Sequence, residues 1–569
     1  MTGGRTTTWS LDDLIAYSSA GSWQPTRLAD IVTAHAAADP ARVAVVDSRT
    51  RISYGDLETA ADAAALAFVG AGVRPGDVVG IKVPNWHEAA VALLAAERVG
   101  AVVSPIALTT GSHELAGILG ASGCRLLVVV GAYRGRDHAA EALALLREQG
   151  SDCVVVPVGE STATGCTPWA DLLARGDRDL GPAALGRLFR QLGAATAGVS
   201  HLAFSSGSTG VPRGILHTHN SLVSTVADYI TLQGFGRDDV FHVPLPVGYS
   251  GGFVYGLRLA LQAGGTAVLQ ERWDPEEMVS LVAEHRATYT TGTPTHVMDV
   301  VGLGRTDALA SLRVYNCGGA HAPAHVIDAA IEGLGTVYCR SYGMTECHRL
   351  ATTDARTPLD LLRTTDGRLQ PGMRVRVVDE AGEPLPAGTE GLVRVKGPYL
   401  FSGYLDPVAG GKAVAGGYFD TGDTGFVSTD GYVTITGRVK DVIVRGGAKI
   451  PAAAVEGVML EHPDVETVAL VPVPDERLGE VAAACVVLRP GRRMNLVDML
   501  RHLEGKGVTK QHWPSALHVF DELPKTATGK VRKAQVAETL RGAGPHGNGS
   551  AVTWSGTGPR PPADTTRDS

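Results

Sequence analysis

His201-Leu202-Ala203-Phe204, running into Ser205-Ser206-Gly207-Ser208-Thr209-Gly210-Val211-Pro212-Arg213-Gly214, is the stretch from which the rest of the chain can be read. The first four residues have the pattern of a short buried strand, so the loop begins where a strand ends. Its glycines permit positive φ and let successive N–H groups point inward, which makes an anion-binding concavity. The hydroxyls add donors, and Arg213 adds a permanent charge matched to phosphate oxygens. No Gly-Lys-Ser/Thr closes the stretch, so it is not a Walker loop. A Gly/Ser run in isolation is a solvated turn; the ordered pattern here favours a cradle for a polyphosphate.

The surrounding chain alternates between helix and strand. Ile31–Ala38, Tyr54–Val69 and His87–Val99 read as helices, and Val43–Val46, Asp77–Ile81, Leu126–Val130 and Cys153–Val156 as strands. Continuous β-branched runs separated by helices predict parallel sheets covered on both faces. After the loop come strands at Asp239–Leu245 and Thr266–Leu269, with helices at Phe253–Leu261 and Pro275–Glu284, the latter opened by Asp274 as N-cap. Leu312–Tyr315 leads into Gly318-Gly319-Ala320, and Val337–Tyr338 leads into Tyr342, so each motif is expected at the carboxyl end of a strand. Past Gly367, alternating Arg374–Val378 and Gly391–Lys396 predict antiparallel β structure. The expected architecture is α/β: a large domain over 1–437 with parallel-rich sheets, helical layers and a β subdomain. A small, mobile α+β domain is expected over 438–541. Residues 542–569 are rich in Gly, Ser, Pro and Thr, and are expected to be disordered.

Composition excludes several classes. At 569 residues the chain exceeds one ordinary core. A formal charge of -8, without any long basic run, argues against general binding to nucleic acid or anionic membrane. Seven cysteines without a CxxC pair suggest a reducing compartment. With no apolar h-region at the start and no apolar run of spanning length, a cytoplasmic enzyme is expected, as monomer or homodimer.

Four further stretches follow the loop in order: Tyr342-Gly343-Met344-Thr345-Glu346, Thr421-Gly422-Asp423, Gly437-Arg438-Val439-Lys440 through Gly446-Gly447, and Pro524-Lys525-Thr526 to Gly529-Lys530. Together they resemble the adenylate-forming superfamily of acyl-CoA synthetases, peptide-synthetase adenylation domains and luciferases, over about residues 25–540. The resemblance is to acyl- or aryl-CoA ligases above all. It implies attack of a carboxylate on the α-phosphate of ATP, release of pyrophosphate, and transfer of the acyl group to a thiol. The acceptor implied is coenzyme A, or alternatively a carrier-protein phosphopantetheine or an amine.

The same resemblance assigns roles. Ser205, Ser206, Gly207, Ser208, Thr209, Gly210 and Arg213 would hold the β- and γ-phosphates. Thr345 would meet the α-phosphate and Glu346 would hold Mg²⁺, a cation that takes oxygen ligands. Tyr342 and Gly343, with Gly318, Gly319 and Ala320 opposite, would sandwich adenine; Asp423 and Arg438 would take the ribose. Lys530 is the implied catalytic cation, Lys440 the hinge, and Gly446-Gly447 the loop at the thiol tunnel.

Tyr249, Gly252, Phe253, Gly318 and His348 are expected to line the acyl pocket. Amino-acid-activating relatives carry an aspartate near Tyr249, and its absence here argues against α-amino acids. Cys347-His348-Arg349 departs from the small residues common in the family. Arg349 either meets a second anionic group on the substrate or forms a salt bridge within the fold.

Overall fold

The computed structural model describes residues 8–176, 182–193, 195–205, 213–319, 322, 324–406, 414–415, 417–439, 442–445, 448–475, 478–526, 529–542 and 552–553. The chain divides into two compact units. Met1–Thr389, Val393–Thr421 and Val427–Thr434 form the first; Glu390–Leu392, Gly422–Phe426 and Ile435–Ser569 form the second. No helix among the described residues is long and apolar enough to cross a membrane.

Two large sheets carry the first unit. The β-branched runs make strands covered on both faces, and Val78–Lys82 is buried at every position. Its sheet has seven strands, ordered Gly403–Tyr404, Arg213–Thr218, Val199–Ser205, Val102–Pro105, Val78–Lys82, Cys124–Val130 and Val154–Val158. Val78–Lys82 pairs in parallel with both neighbours. At one side the pattern reverses: Arg213–Thr218 returns antiparallel along Val199–Ser205, with Arg213 opposite Ser205. The expected phosphate loop falls in sequence between these two antiparallel strands, and its residues 206–212 lie outside the described residues.

The second sheet has nine strands. Six of the described strands, Val337–Met344, Val314–Gly318, Tyr289–Gly292, Val240–Val243, Thr266–Leu269 and Val43–Val46, are parallel to their neighbours in that order. Antiparallel strands flank these six, Cys347–Thr352 beside Val337–Met344 and Arg51–Ser53 beside Val43–Val46. One apolar cluster joins strand residues of both sheets, such as Ile81 and Phe241, to Leu57, Leu93 and Leu94 on the helices between. Each such side chain contributes roughly 1.5–3 kcal/mol on burial. Helix starts follow the expected chemistry: Ser53 caps Tyr54–Gly70 in a box with Asp56, and Asp274 accepts from the Glu277 N–H ahead of Pro275–His285.

Two local expectations need correction, and a third stretch is located. The strand before the Tyr342 motif does not stop at Tyr338; it runs through Tyr342, Gly343 and Met344, because Cys347–Thr352 folds back to pair with it. The Thr421-Gly422-Asp423 motif lies inside the strand Tyr418–Val427. The helix expected over Phe253–Leu261 is π-helical from Phe253 to Arg258, between α-helical Ser250–Gly252 and Leu259–Ala263.

In the second unit, Val465–Asp475 and Gly479–Leu488 form a long antiparallel pair. Ala516–Phe520 pairs in parallel with the latter. Helices Ala452–Leu460 and Leu496–Gly505 bury Val455, Met459, Leu496 and Met499 against these strands. Two residues of the expected disordered tail, Val552–Thr553, pair with Ala516 and Leu517.

Candidate active site

The antiparallel turn at Thr345-Glu346 places two of the expected functional residues between the strands Val337–Met344 and Cys347–Thr352. Close approach fixes the hairpin: a Cβ on Gly343 would stand 2.1 Å from the His348 carbonyl oxygen. Two neighbouring segments then hold the turn. His217, on the strand leaving the phosphate loop, lies 2.7 Å through Nε2 from the Thr345 carbonyl. Burial pushes the His217 imidazole down to about 4. A neutral ring must carry its proton on Nε2 to donate to a carbonyl, which leaves Nδ1 to accept from Ser221 Oγ at 3.4 Å.

Glu346 is held from the other side. Tyr404 Oη donates to Glu346 Oε1 at 2.9 Å, and the Phe401 N–H donates to the Glu346 carbonyl at 2.8 Å. Burial first, and then the Glu346 charge, raise the Tyr404 phenol, so it remains a donor. Arg213 lies 5.0 Å from the Tyr404 ring centroid. The strand pairing of Ile215 with Tyr404 thereby brings the phosphate-loop cation and the expected metal carboxylate onto one tyrosine. Sequence reasoning did not find Tyr404 or His217. Tyr404 sits on a two-residue strand with no motif of its own; the Leu-His-Thr-His run was the available signal for His217.

The expected acyl-pocket residues divide. Phe253 is buried and stacks on His201, with ring centroids 5.1 Å apart. His348 stacks on His217 at 4.4 Å, and burial holds both His201 and His348 well below the ordinary imidazole range. Phe253 and His348 thus converge on one buried aromatic group. Tyr249 is half-buried, with Oη 3.1 Å from Thr109 Oγ1. Gly252 is a packing position, since a Cβ there would meet the Leu245 carbonyl oxygen at 2.2 Å. Gly318 ends its strand next to Ser341, and Gly319 follows at φ +81°.

Arg349 is fully buried and lies over two rings, 3.2 Å from the Tyr229 centroid and 4.2 Å from that of Tyr255. None of its guanidinium nitrogens has a hydrogen-bond partner among the described residues. Among the described residues no salt bridge to Arg349 is made. An ionised group buried without a partner costs several kcal/mol, whereas desolvated cation–π contact returns about 2 kcal/mol.

In the second unit, Arg438 Nε meets Asp423 Oδ1 at 2.8 Å, and Asp423 is buried. Lys530 is exposed on a tight turn: its carbonyl accepts from the Thr526 N–H at 2.7 Å, and its own N–H donates to Thr526 Oγ1 at 3.1 Å. Ser206, Gly207, Ser208, Thr209, Gly210, Ala320, Lys440, Gly446 and Gly447 lie outside the described residues.

Residues 32–405 match the family model of the AMP-binding enzyme, and residues 454–530 that of the AMP-binding enzyme C-terminal domain. The chain is 30% identical over 525 residues to the medium-chain fatty-acid–CoA ligase of Escherichia coli (strain K12), covering 91% of each. It is 33% identical over 536 residues to the 2-hydroxy-7-methoxy-5-methyl-1-naphthoate–CoA ligase of Streptomyces carzinostaticus, covering 92% of this chain and 95% of that one. Among solved structures it is similar to apo MbtA of Mycobacterium smegmatis, at 32% identity and a TM-score of 0.71, covering 94% of this chain and 99% of that one.

The chain belongs to the AMP-binding enzyme family. Its activity is that of an AMP-forming acid–thiol ligase: ATP activates a carboxylic acid as an acyl-adenylate, and the acyl group then passes to a thiol.

Proposed function

We propose that this chain is an acyl- or aryl-CoA ligase whose adenylating chemistry is organised by the Thr345-Glu346 turn. The carrying observation is the double anchoring of that turn, by His217 on the Thr345 carbonyl and by Tyr404 on the Glu346 carboxylate. Two anions must meet in the first step, so the site has to supply positive charge and fixed donors. Arg213, with Ser205 through Gly210, steadies the β- and γ-phosphates. Thr345 contacts the α-phosphate. A carboxylate oxygen of the acid attacks the α-phosphorus, the bond to the bridging oxygen breaks, and pyrophosphate leaves.

Glu346 suits Mg²⁺, because it is a half-buried carboxylate of hard oxygens oriented by Tyr404. When bound there, the ion would neutralise phosphate charge. Tyr342, Gly343, Gly318, Gly319 and Ala320 enclose the base, while Asp423 and Arg438 bind the ribose hydroxyls. Lys530 places an ammonium on the reacting carboxylate and phosphate oxygens in this step alone, a role suited to a compact charge on a flexible stem. Lys440 is the hinge on which the second unit turns between half-reactions. In the second half-reaction the pantetheine sulfur, guided by the Gly446-Gly447 loop, attacks the acyl carbon, and AMP departs. Coenzyme A is the proposed acceptor, since two of the similar proteins are named as CoA ligases.

Measuring the two half-reactions separately tests the assignment. In Lys530→Ala, acid-dependent ATP–pyrophosphate exchange should fall at least about 100-fold, with thioester formation from supplied adenylate largely retained. Equal loss of both steps would overturn the role of Lys530. Transfer to carrier protein but not to CoA would overturn the acceptor.

A further inference from the structure

We infer that the acid activated by this chain carries a second anionic group, a carboxylate, and that Arg349 receives it. This rests on the proposed ligase function and names its substrate class. Arg349 follows Glu346 by three residues, on the strand leaving the Thr345-Glu346 turn. A strand rises about 3.4 Å per residue, so position 349 stands some 7 Å along that strand from Cys347 at the turn. One end of an acid at the turn and the other at Arg349 would thus be several bonds apart.

The guanidinium is surrounded by aromatic rings and not by a carboxylate among the described residues. Tyr229 and Tyr255 offer ring faces. The nearby Asn316 Oδ1 is already engaged, accepting from Tyr229 Oη at 3.2 Å and from Ser341 Oγ at 2.7 Å. Among the described residues, the three buried guanidinium nitrogens make no hydrogen bond of good geometry and no ion pair with a carboxylate, and Tyr229 is their nearest polar neighbour. Tyr255 belongs to the π-helical segment that begins at Phe253, directly after the Pro244–Phe253 stretch expected to line the acyl pocket. Single turns of π-helix inside a helix are frequent at functional sites. Arginine is the residue suited to taking both oxygens of a carboxylate in a fork.

The test is acid-dependent ATP–pyrophosphate exchange with acids matched in length: hexanoate, hexanedioate and 6-aminohexanoate, and benzoate against 1,3-benzenedicarboxylate. In the wild-type chain a dicarboxylate should exceed its monocarboxylate partner in kcat/KM by about 100-fold, and the amino acid should give no exchange. Arg349→Met should invert the ratio of dicarboxylate to monocarboxylate, and Arg349→Lys should restore part of it. Because the replaced charge is unpaired, Arg349→Met should also melt at or above the wild-type temperature without ligand. A wild-type preference for monocarboxylates, or a lower melting temperature in Arg349→Met with equal loss on both kinds of acid, would overturn the inference and leave the ligase function standing. Exchange with no acid at all would instead remove the ligase function, and the inference with it.

Discussion

Arg258 and Arg349 are the two largest of the fully buried side chains, and they sit in contrasting company. Arg258 donates from Nη1 to Glu97 Oε1 at 2.9 Å. Glu97 in turn accepts from the Ala29 N–H at 3.2 Å and lies 3.7 Å from His219. Burial pushes the Glu97 carboxyl up, but the Arg258 and His219 charges and the Ala29 N–H outweigh it and leave it lowered. Arg349 has tyrosine faces instead, and no carboxylate partner among the described residues. The Arg258 charge is compensated by a carboxylate of the chain itself, whereas the counter-charge proposed for Arg349 is the second carboxylate of the substrate. The two differ in what removing each should do.

The largest effect is expected at the paired arginine. Glu97→Gln leaves Arg258 buried without its counter-charge and should lower unfolding free energy by about 3–5 kcal/mol. Denaturant titration beside Arg349→Met checks the contrast, since the latter should lose nothing. Matched losses would erase the distinction.

A smaller effect should appear with pH. Burial pushes His219 down to about 4 and His217 to about 4, against an ordinary value of 6.5. Between those values the folded chain holds fewer protons than the unfolded chain, so stability rises with pH across that window. It should be fullest above pH 6.5 and decline as pH falls toward 4. His219→Gln should flatten part of that slope, as read by melting temperature against pH. An unchanged slope would mean that His219 does not report on the paired cluster.

The smallest effect belongs to the turn just before Arg349. Tyr404→Phe removes one donor from Glu346, and a single hydrogen bond is worth roughly 1 kcal/mol. The Mg²⁺ concentration for half-maximal exchange should rise about fivefold, with melting little changed. No shift in that concentration would detach Tyr404 from the metal carboxylate.

Much of the architecture was legible because its causes are local. Runs such as Val78–Lys82 are continuously apolar, and their alternation with helices dictates parallel sheets. Ser53 and Asp274 announce helix starts by side-chain chemistry alone. What stayed hidden depends on partners far along the chain. Tyr342, Gly343 and Met344 look like a loop until the returning strand at Cys347–Thr352 supplies their hydrogen bonds. His217 reaches Thr345 across 128 positions and Tyr404 reaches Glu346 across 58, so no periodicity could join them. Arg349 admits two readings in the sequence because its neighbours there say nothing of Tyr229 and Tyr255, over whose rings it lies; among the described residues no ion pair within the fold is found for it.

The most direct measurement is ATP–pyrophosphate exchange by the purified wild-type chain, with and without carboxylic acids, across a Mg²⁺ titration. Exchange that requires both an acid and the metal ion is the predicted result. A chain that binds ATP but shows no exchange with any acid would contradict acid activation at the Thr345-Glu346 turn.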